Sequence, residues 1–419
     1  MERILLTSEA GPERFADYER QGGYTAWRRA VTEGRPEQVL AEIVASGLRG
    51  RGGAAFPVGK KWQIAAETPA EHKYVVCNGG EDEPGSRKDR FLLENYPHKV
   101  LEGLLLAAYA VGAHEAILYV NHQYQQAQAA LEQALAEARA AGYIGPRACG
   151  SDFAIAVRLH AAPSTYVAGE DSAAVNSIEG QPAKPRQKPP YPATAGIHGR
   201  PTVVNNVETL ANVPAIVRRG AAWFRSIGTT NSPGTMLFTV LEGVKRPGIY
   251  ELPFGTPLRY LYEACAGGLA DDRPLKAILP GGPSSGFLTP DALDLPLDYQ
   301  AFREAGSALG CGVMTFYPEG TDMVDVVLQI AEFFARESCG QCPKCQFETQ
   351  QLLRILQLVK AGKATRAALA MVDKVIEQSR GQGWCSLINM PGPPLTSALR
   401  LFPEDFARYL TNGGSPAAR

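Results

Sequence analysis

The chain has 419 residues, of which 45% are hydrophobic and 20% charged, and its formal net charge at pH 7 is −1. This composition predicts a globular protein with about two to four domains. Because 42 basic residues are balanced by 43 acidic ones, the chain lacks a global positive field that would hold nucleic acid or an anionic membrane.

Two segments bear on cellular location. The longest apolar stretch, LLLAAYAVGA from Leu104, is much shorter than the roughly 18 residues that span a bilayer, so we expect no direct membrane insertion. The N-terminal sequence MERILLTSEAGPERF carries acidic residues where a secretory signal is basic and then apolar. We therefore expect a cytoplasmic chain whose eight cysteines are reduced thiols or metal ligands.

The first half of the chain alternates helix and strand patterns. A helical stripe that includes Val39 and Ile43 runs into glycines near Gly47. After it come the strand KYVVCN, the buried helix HKVLEGLLLAAYAVG and the strand EAILYVN, which together predict a βαβ unit. The pattern continues with a helix from His122 to Ala141, the strand FAIAVRLHA and a helix near Asp171 to Ile178. This alternation predicts an α/β fold with a mostly parallel sheet.

The second half changes pattern twice. Residues 181–200 are dense in proline and basic residues, which predicts an ordered functional loop rather than an ordinary connection. After Trp223, short strand and helix patterns predict a small α+β domain of about 80 residues. Helical periodicity in 322–337, 346–361, 364–379 and 395–411 then predicts a small helical bundle.

The cysteine spacing indicates a metal centre. Cys339, Cys342 and Cys345 follow the pattern C-x-x-C-x-x-C, and Cys385 lies in a later loop, GWCSL. Three such cysteines can bind three irons on one side of a 4Fe-4S cubane, and a distant fourth cysteine can bind the remaining iron. Tetrahedral zinc sites prefer two separated pairs, so the spacing favours a 4Fe-4S cluster over zinc or an inert group of thiols. The isolated cysteines are predicted to be small buried hydrophobes: Cys77, Cys149, Cys265 and Cys311.

A glycine-rich segment, GLRGRGGAAFPVGKKW at 47–62, contains a G-x-G-x-x-A spacing. A dinucleotide fingerprint follows a strand and opens a helix, whereas here a helical stripe precedes the glycines and no helix-forming run is recognised after Pro57. The glycines can still expose N–H groups to a phosphate or admit a flat ring. A tight structural loop is the alternative. The residues that would serve a ligand are Gly50, Gly52 and Phe56, with positive charge from Arg49, Arg51, Lys60 and Lys61.

Polar residues also stand at the ends of three other predicted elements. Ligands of α/β proteins bind at the carboxyl ends of strands, where side chains of this kind can reach them. At helix N-termini, carboxylates are also favoured without any ligand, and asparagines are common in ordinary turns. The candidates are Asn78 with Glu81, Asp82 and Glu83 after one strand, Glu170 and Asp171 before a helix, and Asn205 and Asn206.

Five motifs, taken in chain order, resemble the NADH-oxidising flavoprotein of respiratory complex I, the 51-kDa-type F-subunit family. They are GLRGRGGAAFPVGKKW, CNGGEDEPGSRKDR, YVAGEDSAAVNSIEG, VVNNVETL, and ESCGQCPKC with Cys385. The resemblance covers nearly the whole chain. It implies an α/β domain at 1–225 that binds FMN and NADH, a ubiquitin-like soluble-ligand-binding β-grasp domain at 226–320, and a helical bundle at 321–419 that holds one 4Fe-4S cluster.

The resemblance also implies the activity and the site residues. Hydride passes from NADH to FMN, so no side chain is catalytic, and electrons then pass singly to the cluster and on towards quinone. By position in the motifs, the FMN contacts are Gly50, Gly52, Lys61, Asn78, Glu81, Tyr166, Gly169, Glu170, Asn205, Asn206 and Thr209. The implied NADH contacts are Phe56, Lys61, Glu83, Asp171 and Tyr191, and the implied cluster ligands are Cys339, Cys342, Cys345 and Cys385.

The implied partners are other peripheral-arm subunits. They include a thioredoxin-like 2Fe-2S subunit of the E type and the large iron-sulfur subunit of the G type. Through them the chain would lie on the cytoplasmic side of a membrane, and no nucleic acid is expected.

Three departures from the family pattern affect the site. Where the family reads CNADESEPGS, Gly80 replaces an Asp that contacts the flavin and Asp82 replaces a Ser. The family's Glu-Glu pair is Glu170-Asp171 here. The family's ESCGxCTPCREG is altered to ESCGQCPKCQFET, which keeps the ligands but changes the groups beside them.

Two alternatives stay open from sequence. One is the diaphorase subunit of a soluble NAD-linked hydrogenase or formate dehydrogenase, which shares this core. The other is a non-catalytic iron-sulfur subunit that has lost its flavin, which the change to Gly80 suggests.

Overall fold

The computed structural model describes residues 2–7 and 11–411. The chain divides into two compact units. The first comprises Met1–Thr239, Ile249–Thr256 and Pro296–Tyr299, and the second comprises Val240–Gly248, Pro257–Leu295 and Gln300–Arg419. The division into domains at 1–225, 226–320 and 321–419 stays a prediction.

A four-stranded parallel sheet forms the centre of the first unit. Its strands are β1 (Tyr74–Gly79), β2 (Glu115–Asn121), β3 (Ala156–Ala162) and β4 (Thr202–Asn206), in the order β3-β2-β1-β4. All three pairings are parallel. The predicted α/β fold with a mostly parallel sheet is therefore confirmed for this unit.

Both faces of this sheet are buried. In β1, Val75 and Cys77 pack into the large core on one face, while Val76 joins a smaller cluster on the other. Parallel strands covered on both faces are apolar along most of their length, which explains the VVC and AILYV runs.

The first unit has eleven α-helices among its described residues. Helix α6 is buried along its whole length and packs so closely on α10 that a Cβ on Gly103 would lie 2.0 Å from the Leu210 carbonyl oxygen. The helices are α1 (Phe15–Arg20), α2 (Thr25–Glu33), α3 (Pro36–Ser46), α4 (Val58–Glu67), α5 (Lys88–Asn95), α6 (Pro97–Val111), α7 (Gln125–Ala140), α8 (Asp171–Ile178), α9 (Pro192–Ala195), α10 (Val207–Arg219) and α11 (Ala221–Arg225).

Most predicted helices of this half are found, with two differences. The long helix predicted from His122 begins at Gln125. The expectation that no helix follows Pro57 is wrong, because α4 starts at Val58 directly after it. Its buried residues Val58, Trp62 and Ala65 form a helical stripe too short to stand out among glycine and lysines.

The remaining strands form two small sheets. Strands β5 (Thr235–Val240) and β6 (Gly248–Pro253) pair with each other. In the second unit, β7 (Leu275–Pro280) pairs antiparallel with β8 (Met314–Pro318). The short helix predicted near Leu261 is present as a π-helix, Tyr260–Cys265.

Helices make up the C-terminal part of the second unit. The predicted segments 322–337 and 346–361 correspond to single helices, whereas 364–379 and 395–411 are each broken into two at Ala370 and Phe402. The helices are α12 (Tyr299–Glu304), α13 (Met323–Glu337), α14 (Pro343–Lys360), α15 (Arg366–Leu369), α16 (Met371–Ser379), α17 (Gly392–Leu401) and α18 (Pro403–Ala407). Among the described residues, none of the helices combines the length and apolarity that a membrane crossing requires.

Candidate FMN and NADH site and candidate cluster site

The first candidate site lies at the carboxyl ends of β1 and β4. These strands are neighbours, and Asn78 at the end of β1 is in register with Asn206 at the end of β4. The chain continues from β1 to β2 on one side, whereas β4, the edge strand of the sheet, pairs with β1 on the other side. A crevice of this kind is where open α/β sheets bind ligands.

The glycine-rich loop connects α3 to α4 and contacts this crevice. A Cβ on Gly52 would lie 3.2 Å from Cβ of Asn206, so the loop backbone packs tightly on the end of β4. The Arg51 N–H donates to Oγ1 of Thr209 at 2.9 Å, and the Gly50 N–H donates to the Phe56 carbonyl at 2.9 Å. Thr209 is fully buried, so it acts on the loop rather than facing solvent.

Arg51 is buried beneath the loop and does not supply charge to a ligand, contrary to the sequence expectation. Its guanidinium donates to the carbonyls of Arg49 (2.9 Å), Pro233 (3.0 Å) and Thr235 (3.2 Å). The side chain is 0% exposed and stacks on the Phe254 ring at 4.6 Å from its centroid. Arg51 therefore fixes the shape of the glycine-rich loop from below.

Helix α4 brings Lys61 to the same edge of the sheet. Its Nζ donates to the Val204 carbonyl of β4 at 2.9 Å. Burial lowers the pKa of Lys61, and the nearby Asp171 opposes that shift. The adjacent Trp62 donates from Nε1 to Oδ1 of Asn205 at 2.7 Å, which holds the buried Asn205 side chain in one orientation.

Asn78 forms hydrogen bonds to the loop that follows β1 and to the loop that precedes α8. Its Nδ2 donates to the Gly169 carbonyl at 2.8 Å, and its Oδ1 accepts from the Gly80 N–H at 3.1 Å. A Cβ on Gly169 would lie 2.6 Å from the Gly80 carbonyl oxygen, so only glycine allows this approach of the two backbones.

The space beside Gly80 is filled by a tyrosine. A Cβ on Gly80 would lie 3.1 Å from Cε1 of Tyr119, whose hydroxyl donates to the Ala168 carbonyl at 3.1 Å. The carboxylate of Asp82 is turned away, because its Oδ1 accepts from Nδ2 of Asn121 at 2.9 Å. Asp82 therefore does not take over the position of the Asp that Gly80 replaces.

Glu81 caps a helix. Its carboxylate accepts from the N–H groups of Asp89 (3.1 Å) and Arg90 (2.9 Å) in the first turn of α5 and from the Ser86 hydroxyl. Burial and then the nearby Asp89 raise its pKa to about 7. These bonds occupy a carboxylate that the motif had suggested as an FMN contact.

Glu83 retains a carboxylate oxygen for a ligand. Its Oε2 accepts from the Tyr166 hydroxyl at 2.8 Å, while Oε1 is buried and has no hydrogen-bond partner in the described part of the chain. Burial raises the pKa of Glu83 to about 7, and the Tyr166 hydrogen bond opposes that shift. A buried oxygen of this kind is costly unless a ligand or water satisfies it.

The proline-rich loop reaches the second acidic turn through Lys188. Its Nζ pairs with Glu170 and, at 2.6 Å, with Asp171. Glu170 also caps α8, accepting from the N–H groups of Ser172 and Ala173 at 2.9 Å each. Burial and the adjacent Asp171 raise the pKa of Glu170 to about 7, whereas Glu170, Lys188 and Lys61 hold the pKa of Asp171 low against the effect of burial.

Asn206 belongs to a buried network below the crevice. Its Nδ2 donates to Asp89 at 2.6 Å and its Oδ1 accepts from the Glu208 N–H at 3.0 Å. Lys88, fully buried, pairs with Asp89 at 2.8 Å and Glu208 at 2.9 Å. This network fixes the end of β4 on which the glycine-rich loop rests.

The structure brings most of the sequence-predicted residues to one edge of the sheet. The two aromatic candidates are exposed on their loops, Phe56 by 44% and Tyr191 by 60%. Sequence reasoning missed the structural roles of Arg51, Trp62 and Lys188, although a lysine within a proline-rich loop was a visible signal. A flat ring that carries a phosphate chain fits this edge. The features that suit it are the closely packed glycine backbones, the unsatisfied Glu83 oxygen, and the adjacent basic and acidic side chains.

The second candidate site joins two loops of the second unit. Cys342 caps α14, Cys345 lies in its first turn, and Cys339 lies in the loop before it. The Trp384 N–H donates to Sγ of Cys342 at 3.3 Å, which brings the loop that carries Cys385 to the other three cysteines.

The sulfur atoms of this site receive further contacts. Ser338 Oγ lies 3.5 Å from Sγ of Cys345, and Gln341 Nε2 donates to Sγ of Cys339 at 3.7 Å. Burial raises the pKa of Cys345 to about 11, and the neighbouring Cys342 adds to the shift. Hydrogen bonds to sulfur and crowded thiols fit a site that becomes thiolate when a metal centre binds.

The donor set consists of cysteines alone. Three lie at C-x-x-C-x-x-C spacing, and the fourth is in the loop that contacts Cys342. This set fits a 4Fe-4S cubane, which takes one thiolate per iron.

Comparison with known proteins gives the family. Residues 43–215 match the model of the Nuo51 FMN-binding domain, and residues 325–409 match the NADH-ubiquinone oxidoreductase-F iron-sulfur binding region. The chain is 40% identical over 417 residues to the NADH-quinone oxidoreductase F 2 subunit of Rhizobium meliloti (strain 1021), covering 99% of each protein. The chain belongs to the F-subunit family of NADH-quinone oxidoreductases. The family, the oxidoreductase class and the cofactors predicted from sequence, FMN and one 4Fe-4S cluster, are confirmed.

Other similarities agree with membership of this F-subunit family. The chain is 38% identical over 404 residues to the NADH-quinone oxidoreductase F subunit of Escherichia coli (strain K12), covering 96% of this chain and 91% of that one. It also resembles a chain in the crystal structure of an NAD+-reducing [NiFe]-hydrogenase in the H2-reduced state, with a TM-score of 0.86 and 34% identity. That match covers 98% of this chain and 67% of the other.

Replacing Arg51 tests the support of the glycine-rich loop. Arg51→Met leaves three buried carbonyls without their donor, so we expect the free energy of unfolding to fall by about 3 kcal/mol. We also expect the FMN content per chain to fall, because the loop loses its fixed shape. Lys60→Met removes an exposed charge next to the site and should change neither quantity. Full FMN occupancy in Arg51→Met would contradict the assigned role.

Replacing Cys385 tests the fourth cluster ligand. Cys385→Ala should abolish or degrade the 4Fe-4S signal in EPR after reduction, because one iron loses its thiolate. Cys311→Ala, at a half-buried cysteine of the same unit outside the cluster motif, should leave the signal intact. An unchanged four-iron signal in Cys385→Ala would assign the fourth ligand to another residue.

Proposed function

We propose that this chain is the NADH dehydrogenase (diaphorase) subunit of a respiratory complex I. It takes hydride from NADH on FMN, and electrons leave singly through one 4Fe-4S cluster towards quinone. The observation that supports this most directly is the crevice at the ends of β1 and β4, where the glycine-rich loop, Asn78, Gly169 and Lys61 meet in a chain of the F-subunit family.

FMN, when bound, converts the two electrons of a hydride into single electrons that a cluster can accept. The chain's own residues bind and orient the reactants. Gly52 lets the glycine-rich loop pack on Asn206, and Gly169 lets its backbone pack on Gly80, so both glycines shape the pocket. The Lys61 ammonium lies at the end of β4, next to Asp171. Glu83, held by Tyr166, keeps one oxygen to accept a hydrogen bond from a polar group of NADH.

The remaining site assignments extend this proposal. FMN contacts would come from Gly50, Gly52, Lys61, Asn78, Tyr166, Gly169 and Asn205, with Glu81, Glu170, Asn206 and Thr209 shaping the same pocket through their protein hydrogen bonds. NADH would contact Phe56, Lys61, Glu83, Asp171 and Tyr191. Cys339, Cys342, Cys345 and Cys385 would each bind one iron.

The architecture and partners are proposed on the same basis. The region 226–320 would be a β-grasp domain, and 321–419 a helical bundle around the cluster. As a subunit, the chain would work in a multi-subunit complex with E-type and G-type iron-sulfur partners. Those partners would hold it at the cytoplasmic side of the membrane.

A second candidate is the diaphorase subunit of an NAD-linked hydrogenase. The structural similarity to the NAD+-reducing [NiFe]-hydrogenase, at a TM-score of 0.86, favours it. Both candidates share the NADH and FMN chemistry and differ in what accepts the electrons. Identification of the chains that copurify with this one distinguishes them.

Anaerobic mixing with NADH tests the shared chemistry. The purified full chain should show a flavin spectrum that NADH bleaches, with transfer of electrons to ferricyanide. A chain that holds its cluster but no flavin would instead be the non-catalytic iron-sulfur subunit.

Two adjacent lysines give a matched test of the NADH site. Lys61→Ala should weaken the apparent affinity for NADH about tenfold or more, because a charged hydrogen bond contributes about 1.5 to 3 kcal/mol. Lys60→Ala changes the same charge at an exposed position and should leave the affinity unchanged. Normal NADH affinity and flavin content in Lys61→Ala would remove Lys61 from the site.

A further inference from the structure

A buried carboxyl group lies next to the candidate cluster site and has no role in the function proposed above. Glu348 is in α14, three residues after Cys345, and is 0% exposed. Both of its carboxylate oxygens are buried without a hydrogen-bond partner in the described part of the chain. A carboxyl in this state is expensive to bury, so its presence requires an explanation.

A second polar group of the same kind is on a packed helix. Ser379, at the end of α16, is also 0% exposed, and its hydroxyl lacks a partner among the described residues. Helix α16 packs on α14 and leads back to Trp384, which binds Cys342 at the start of α14. The two helices are therefore antiparallel, and Ser379 and Glu348 lie at the end of the pair that carries the cysteines.

The charged groups around α14 point away from Glu348. Burial raises the pKa of Glu348 to about 8, with no other cause, and Glu348 in turn raises the pKa of Cys345. The elements packed against α14 are α13, α15, α16 and the short helix Ser386–Asn389, which has no charged residue. Their charged side chains are exposed or paired at the surface: Asp325, Glu332, Arg336 and Glu337 on α13, Arg366 on α15, and Asp373, Lys374 and Glu377 on α16, with Arg380 directly after it.

The residue is also a departure from the family motif. In ESCGxCTPCREG the position of Glu348 is a glycine, whereas ESCGQCPKCQFET introduces a carboxyl there. Glu348 interacts electrostatically with Cys345, the buried cysteine of the same helix, and raises its pKa. An added electron on the cluster would act on Glu348 from this side, because Glu348 and Cys345 are both buried and solvent screens buried charges little.

We propose that Glu348 is a redox-linked proton acceptor of the 4Fe-4S cluster. At alkaline pH, where Glu348 is ionised, the cluster gains one electron, which NADH supplies through FMN, and the Glu348 carboxylate takes one proton from water and forms one O–H bond. The positive charge of the proton then balances the negative charge of the electron, so reduction adds no net charge to α14, α16 and the cluster. This inference rests on the proposed function.

The pH dependence follows from the protonation states. At low pH, Glu348 is protonated with the cluster oxidised or reduced, so the midpoint potential of the cluster does not change with pH. Above the pKa of the oxidised state, reduction draws in a proton and the potential falls as pH rises. Because a negative cluster raises the pKa of a nearby carboxyl, the fall begins at about pH 8 or above.

A redox titration followed by EPR tests this in the full chain with its cluster. Mediators set the potential directly, and the midpoint is measured from about pH 6 to about pH 10. For the natural chain we expect a plateau and then a fall towards about 59 mV per pH unit. Glu348→Gln, which keeps the shape but cannot ionise, should give a flat profile. Glu332→Gln, a matched change at an exposed carboxyl of α13, should behave like the natural chain.

Two outcomes overturn the proposal: a flat profile in the natural chain, or the same fall in Glu348→Gln. If Glu348→Gln does not assemble its cluster, infrared difference spectra of the natural chain decide. Reduction above pH 8 should replace a carboxylate band by a carboxyl C=O band, and absence of that change refutes the proposal. Because mediators bypass FMN and NADH, failure of the proposed function would appear separately, as a cluster that NADH does not reduce.

Discussion

The pairing of β1 with β4 is the constraint on which the first candidate site depends. It places Asn78 beside Asn206, although more than a hundred residues separate them in sequence. Each strand then delivers its following segment to one edge of the sheet, and the glycine-rich loop packs on the end of β4. The pairing is stabilised by apolar residues on both faces of the sheet, so the crevice is built on a sheet that is buried on both sides.

Much of the buried polar chemistry around this crevice supports loops rather than ligands. Arg51 is bonded to three carbonyls, Glu81 caps α5, and Lys88 joins Asp89 to Glu208. Buried charges are tolerated because each is paired or hydrogen-bonded. At this edge, Oε1 of Glu83 is buried and has no hydrogen-bond partner in the described part of the chain.

The candidate cluster site uses a different means of holding distant segments together. Three cysteines come from one loop and helix start, and the backbone of Trp384 brings in the fourth through a hydrogen bond to Cys342. In a protein without disulfides among its described residues, a cluster bound there would fasten these loops to each other.

Sequence patterns were sufficient for the family, the cofactors and the order of elements in the first half. Hydrophobic periodicity located β1, β2, α6 and α8, and the C-x-x-C-x-x-C spacing singled out the metal centre, because these signals are local. The helix α4 was missed, since its apolar stripe is short and is interrupted by glycine and lysines.

Only the tertiary structure decided what each polar residue in a motif does. Arg51 and Glu81 looked like ligand contacts in sequence but are committed to backbone groups of the protein, whereas Glu83 is not fully committed. Tyr119, from a different strand, fills the space beside Gly80. The physical reason is that hydrogen-bond partners and burial are set by residues far apart in the chain, whereas sequence periodicity and spacing report only on neighbours.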